Sequence, residues 1–134
     1  MIDIENDVFD KVADSLRELF PNIAVYGEYI EAPSRFPCVT LVEAGNRVLE
    51  SMRTDRIENA VSVMYELNCY SNKSSGKKTE AKEIATAADE IMTSIGFTRT
   101  FREQVPNLKD ASIYRIVCRY EAVIDKNFMI YQNE

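Results

Sequence analysis

The sequence predicts an α+β domain: an antiparallel sheet of four to six strands with two helices packed on one face. Three observations carry that expectation. Val61, Val63, Tyr65, Leu67 and Cys69 alternate with Ser62, Met64, Glu66 and Asn68, the period of two of a strand with one buried face. Ala81, Ile84, Ala85, Ala88, Ile91, Met92 and Ile95 recur at helical spacing and lay one apolar stripe along a helix. The order of segments is helix, three strands, helix, two or three strands, which gathers the helices on one side of the sheet.

At 134 residues the chain has the length for one domain, residues 1–134, with a single core. Its 46% hydrophobic and 28% charged residues are ordinary globular values, so neither disorder nor a membrane protein is indicated.

The first helix spans residues 3–20. Ile4, Val8, Val12, Leu16 and Leu19 form its stripe, Phe9, Ala13 and Phe20 lie at the margin, and Asp3, Glu5 and Asp7 suit the positive end of the helix dipole. Pro21 and Asn22 stop it. A strand over 23–30 follows, weakened at Gly27, which is the place for a bulge. Pro33 and Pro37 bracket a turn, and 38–44 (CVTLVEA) is a β-branched strand ending at Gly45. Residues 46–59 are charged and aperiodic, and so long a connection reads equally as a binding element or a mobile hairpin loop. Its arginines, Arg47, Arg53 and Arg56, can pair with carboxylates bidentately and are candidate partner contacts.

The central strand covers 60–70 and the second helix 77–95, with Gly96 as its stop. A strand over 97–104 places Phe97, Arg99, Phe101 and Glu103 on one face. A turn at Pro106, Asn107 and Asp110 leads to a long strand over 113–125, whose Tyr114, Ile116, Cys118, Tyr120, Ala122 and Ile124 face the core. A short tail strand over 127–131 carries Phe128, Ile130 and Tyr131, apolar residues suited to adding a strand to a neighbouring chain.

The absence of histidine removes Ser-His and Cys-His nucleophile pairs, histidine general bases and His-ligated metals together. Asp and Glu are scattered, with no DxD or ExxE cluster at a strand end, so the sequence points away from an enzyme. The loop SNKSSGKKTE joins a strand to a helix and contains GKKT, but Ser71 stands where a P-loop needs its first glycine. With one glycine it reads as a solvated connector carrying Lys73, Lys77 and Lys78. Cations at a helix start oppose the dipole, so either the helix begins nearer Thr79 or these lysines serve a partner. No cofactor, metal or disulfide is expected, and Cys38, Cys69 and Cys118 read as buried free thiols. A net charge of −6 argues against sequence-specific nucleic-acid binding. No apolar run approaches a spanning helix, and the acidic start MIDIENDVFDK is unlike a secretory signal, so a cytoplasmic protein is expected.

The run FPCVTLVE, the block YELNCYSNKSSGKKTEAKEI followed by GFTRT, and VPNLKDASIYRIVCRYEAVID with its aromatic tail resemble the small tail-completion proteins of tailed bacteriophages and prophages, over Phe36 to Tyr131. The resemblance implies a tail terminator or head–tail joining protein, a small α+β subunit that closes into a ring, commonly hexameric. Such a ring sits on the end of the tail tube, stops tube growth and meets the head connector. The implied partners are further copies of the chain, the tail tube protein and the connector or adaptor of the head, in the host cytoplasm during assembly and then in the virion neck. A head-side adaptor of the same neck is the alternative.

Overall fold

The computed structural model describes residues 1–49, 59–107 and 109–131, with Tyr131 by its backbone alone. The elements are α1 (Glu5–Leu19), β1 (Ala24–Tyr26), β2 (Cys38–Val48), β3 (Ala60–Ser71), α2 (Lys77–Ile95), β4 (Thr98–Gln104), β5 (Tyr114–Asp125) and β6 (Ile130–Tyr131). The strands lie in the order β1-β2-β3-β5-β4, and β6 pairs with β5. Because β3 holds the other side of β5 along its whole length, β6 must share the β4 side, beyond the start of β4.

The central strand is β3. Its odd-numbered residues from Val61 to Cys69 join Val39 and Leu41 of β2, and Ile116, Cys118, Tyr120 and Ile124 of β5, in the main core. Both helices cover that face: Val8, Val12, Ala13 and Leu16 from α1, and Ala81, Ile84, Ala85, Ala88 and Met92 from α2. Three of the five buried α2 residues are alanines, which lets the helix backbone lie close to the sheet. Gly96 then stops it in the left-handed conformation at φ 118°, donating its N–H to the Met92 and Thr93 carbonyls. Leu19 departs from its stripe and is exposed, although Leu16 in the same turn is fully buried and Phe20 beyond it packs against the core.

The antiparallel expectation holds for every pairing except one. Strand β1 is parallel to β2, with Ala24 opposite Cys38. The expected strand over 23–30 is cut to three residues, because the chain leaves the sheet at Gly27 and crosses the face opposite the helices before returning at Cys38. Gly27 meets the Phe9 ring, 3.5 Å from where a Cβ would stand. This crossing segment buries the upper far face: Ala24, Cys38, Tyr70 and Ile113 form a second small core, flanked by Tyr26 and Phe36. The Tyr70 hydroxyl donates to the Ile30 carbonyl at 3.0 Å, and the Asn107 amide to that of Glu31 at 3.0 Å. Strand β3 is therefore buried on both faces at this end.

Two bulges revise the side-chain directions. In β2 the register shifts between Glu43 and Gly45, and the strand runs on to Val48, so that Arg47 is a strand residue rather than part of a 46–59 loop. In β4 the shift lies between Arg99 and Phe101. Phe97 and Arg99 face the helices, whereas Phe101 and Glu103 turn to the far face, so the single face expected for these four residues is split. Arg53 and Arg56 lie outside the described residues.

Candidate assembly interface

The far face is polar and open below the small core. Its rows, read across β2, β3, β5 and β4, are Thr40–Asn68–Val117–Glu103, Val42–Glu66–Arg119–Phe101 and Gly45–Met64–Glu121–Thr98. Among the described residues one ion pair crosses them, between β3 and β5. The Arg119 guanidinium lies 3.4 Å from Glu66 and 4.9 Å from the centroid of the Phe101 ring. Arg115 donates to Asn68 Oδ1 at 2.8 Å and stands near the rings of Tyr29 and Tyr70. Two adjoining shallow clefts follow, of about 220 and 180 Å³, which share Ser62 and Glu121.

Arg47 lines the first cleft, and its row continues through Ser62 and Val123 to Tyr131 of β6. Fold thus brings together two candidates that are 84 positions apart in sequence number, 131 against 47. Ile130 pairs with Ile124 and packs at the edge of the main core, while Phe128 is exposed and holds a positive φ of 61° in the turn before it. The Asp125 carboxylate caps that turn, accepting the N–H groups of Asn127 and Met129 at 2.9 Å each. The tail therefore pairs with its own sheet, and Phe128 and Met129 are the large apolar side chains it exposes among the described residues.

The lysines are elsewhere. Strand β3 runs from Ala60, beside Asp125 and the tail, to Ser71, so Lys73, Lys77 and Lys78 lie at the opposite end of the sheet. Helix α2 opens at Lys77, not nearer Thr79, behind Gly76 in the left-handed conformation. Lys77 Nζ donates to the Ser112 carbonyl at 3.1 Å, and Ser71 Oγ donates to Glu80 at 2.7 Å, which sets a carboxylate against the first turn. Among the described residues no ion pair forms with any of the three lysines.

A feature the sequence did not show lies on the helix side of β2. Alternation with Val39 and Leu41 points Glu43 to the helix side, opposite Tyr65, where Glu5 accepts the Glu43 N–H at 2.7 Å and Asp3 and Glu5 stand nearby. Burial and these two like charges hold the Glu43 carboxyl above the usual range. The Tyr65 hydroxyl donates to it at 3.4 Å, and burial followed by the Glu43 charge pushes this phenol up. No group of three or more metal-ligating side chains is arranged to hold an ion among the described residues. No described helix is long and apolar enough to cross a membrane. The three cysteines are free and buried, as their strand positions predict.

The tail completion protein gp17 family matches residues 11–125. The chain belongs to that family. A search of curated protein sequences gives no match. The family stretch runs from the second turn of α1 to the end of β5, so it takes in the sheet, α2 and the lysine loop. In this tail completion protein the first turn of α1 and the β6 tail lie outside the matched stretch. Arg47, Lys73, Lys77 and Lys78 lie within it, whereas Phe128, Ile130 and Tyr131 do not.

Proposed function

We propose that the protein forms a homo-oligomeric ring, hexameric as in the family it resembles, on the end of a phage or prophage tail tube. There it stops tube growth and joins the tail to the head. The family match over residues 11–125 carries this reading. Two features of the fold support it. A closed ring of identical subunits needs two unlike surfaces that meet head to tail, and the two ends of this sheet differ: one carries Lys73, Lys77 and Lys78, the other Arg47 and the β6 tail. The net charge of −6 also suits a ring through which DNA passes without adhering, since like charges weaken contact with phosphate. The partners are further copies of the chain, the tail tube protein and the head connector or adaptor, met in the host cytoplasm during assembly.

The test is polymerisation of the matching tail tube protein with and without this protein, read as tube length by electron microscopy, together with the mass of the bound species. A terminator shortens tubes in proportion to its concentration and sits at one tube end. Tubes of identical length across the whole concentration range would sink the terminator reading and favour the head-side adaptor, which binds the connector and leaves tube growth alone.

A further inference from the structure

Two exposed apolar features lie at opposite ends of α1. At its start, Ile4 and Val8 line a cleft of about 130 Å³ with Ile95 at the end of α2 and with Phe128 and Ile130 of the tail; Asp7 and Lys11 are its charged lining. An apolar cavity of roughly 150 Å³ holds a benzene-sized group, so this cleft has room for one side chain of leucine size. At the other end Leu19 is 59% exposed although it belongs to the apolar stripe. The fifteen residues of α1 separate the two features by about 22 Å at ~1.5 Å per residue.

Charge divides along the same axis. Ile4 and Val8 sit beside Ile95, so the two helices are antiparallel and Leu19 lies at the end where α2 begins. The cleft end carries Asp3, Glu5, Asp7 and Asp10 against Lys11; Asp3 accepts the Glu5 N–H and Glu5 that of Glu43, so Asp7 and Asp10 are the carboxylates that lead the contact. The Leu19 end carries Arg17, Lys73, Lys77 and Lys78; its carboxylates are Asp14, paired with Arg17 at 3.8 Å, Glu18, Glu80, which is engaged by Ser71, and Asp110, which feels the Lys77 charge. Lysines at a helix start are unfavourable within one copy, because they oppose the dipole. Opposite a carboxylate-rich surface they become favourable, and the start of α1 is such a surface.

We propose that the Leu19 end of one copy docks head to tail into the Ile4–Val8–Ile95–Phe128 cleft of a second copy, with the lysines at the start of α2 facing the carboxylates at the start of α1. This rests on the ring reading above and names the two surfaces that meet in the ring. Unlike surfaces repeat from copy to copy and close when the rotation allows. Phe128, Ile130, Ile4 and Val8 fall outside the matched stretch, whereas Leu19, Lys77, Lys78 and Ile95 lie within it.

The experiment pairs Leu19→Cys with Phe128→Cys in the full chain, whose own cysteines are buried. A disulfide needs Cα atoms within about 7 Å, so across one copy the pair cannot bond. Under mild oxidation by oxidised glutathione the double variant should give a ladder of covalent oligomers ending in one closed species, while each single variant stops at traces of dimer. Abundant dimer from one single variant would mean a symmetric contact and overturn the proposal. In parallel, Lys77→Glu with Lys78→Glu, and Asp7→Lys with Asp10→Lys, should each weaken self-association at least tenfold by sedimentation, and an equimolar mixture of the two should restore it. A wild-type ring with no crosslink and unaffected charge variants would overturn these surfaces and leave the ring reading standing. Charge variants that self-associate normally but no longer bind tube protein would assign the cleft to the tube and equally overturn the proposal. A chain that stays monomeric at every concentration and on the tube would remove both.

Discussion

Tyr120 ties three elements together through one hydroxyl. It is fully buried in β5, donates to Asp89 of α2 at 2.9 Å, and Asp89 in turn lies 3.4 Å from Arg99 of β4. Tyr120→Phe removes the donor and keeps the ring. A hydrogen bond to a charged group contributes about 1.5–3 kcal/mol. Asp89 keeps 28% of its side chain accessible, so water can replace part of what it loses, and the cost should fall at roughly 1–2 kcal/mol. For a domain of this size that corresponds to a fall in Tm of roughly 4–8 °C. Urea unfolding should show the same loss as a lower midpoint with an unchanged slope. Asp89→Asn keeps an acceptor and loses only a partly exposed ion pair, so it should cost about 0–1 kcal/mol. Combining Tyr120→Phe with Asp89→Ala should cost less than the sum of the two, because both remove the same bond. A Tyr120→Phe protein within about 0.5 kcal/mol of wild type would refute the reasoning, showing that the hydroxyl makes no net contribution there.

Glu43 sets a pH dependence: its carboxyl is held above its usual value of 4.5 by burial and by Asp3 and Glu5, so its contribution is full below that value and is lost as pH rises through the raised one. Melting should therefore show a stabilising component on acidification that Glu43→Gln abolishes; an identical pH slope in the variant would contradict this. The cysteines should resist labelling in the native protein, since burial pushes Cys38 up to about 12 and raises Cys69 and Cys118 as well. Ellman's reagent should react on the order of 100-fold more slowly than in denaturant, and rapid native labelling would mean that the strand faces are wrong. Removing residues 127–134 takes away Ile130 and the β6 pairing, so the monomer should lose about 1–2 kcal/mol and self-association should weaken; unchanged association by light scattering would free the tail of any role in the contact.

The elements themselves were written in the chain. Alternation in β3 and β5 and the alanine-rich stripe of α2 fixed which residues meet in the main core, since a period of two or of 3.6 dictates a face without help from the rest of the molecule. The order of blocks likewise pointed to the tail-completion family. Reading failed where a single residue was inserted: the bulge at Thr100 reverses the side of Phe101 and Glu103, and the one at Ala44 lets β2 run on past the Gly45 at which the strand was expected to end. The same limit applied to the candidate contacts. Their residue types were legible, but sequence order gave no reason to set Arg47 in one row with Tyr131, to send the lysines to the far end, or to bring Ile4 and Val8 against Ile95 and Phe128. The parallel pairing of β1 and the second core under Tyr70 depended on where the segment after Gly27 crosses, and Glu43 gained its carboxylate neighbours only when the start of α1 docked against β2. Local periodicity determined what each segment is. Which surfaces adjoin, and which stay exposed for a partner, was decided by long-range packing, because only the closed sheet fixes the distances between segments that the chain itself holds far apart.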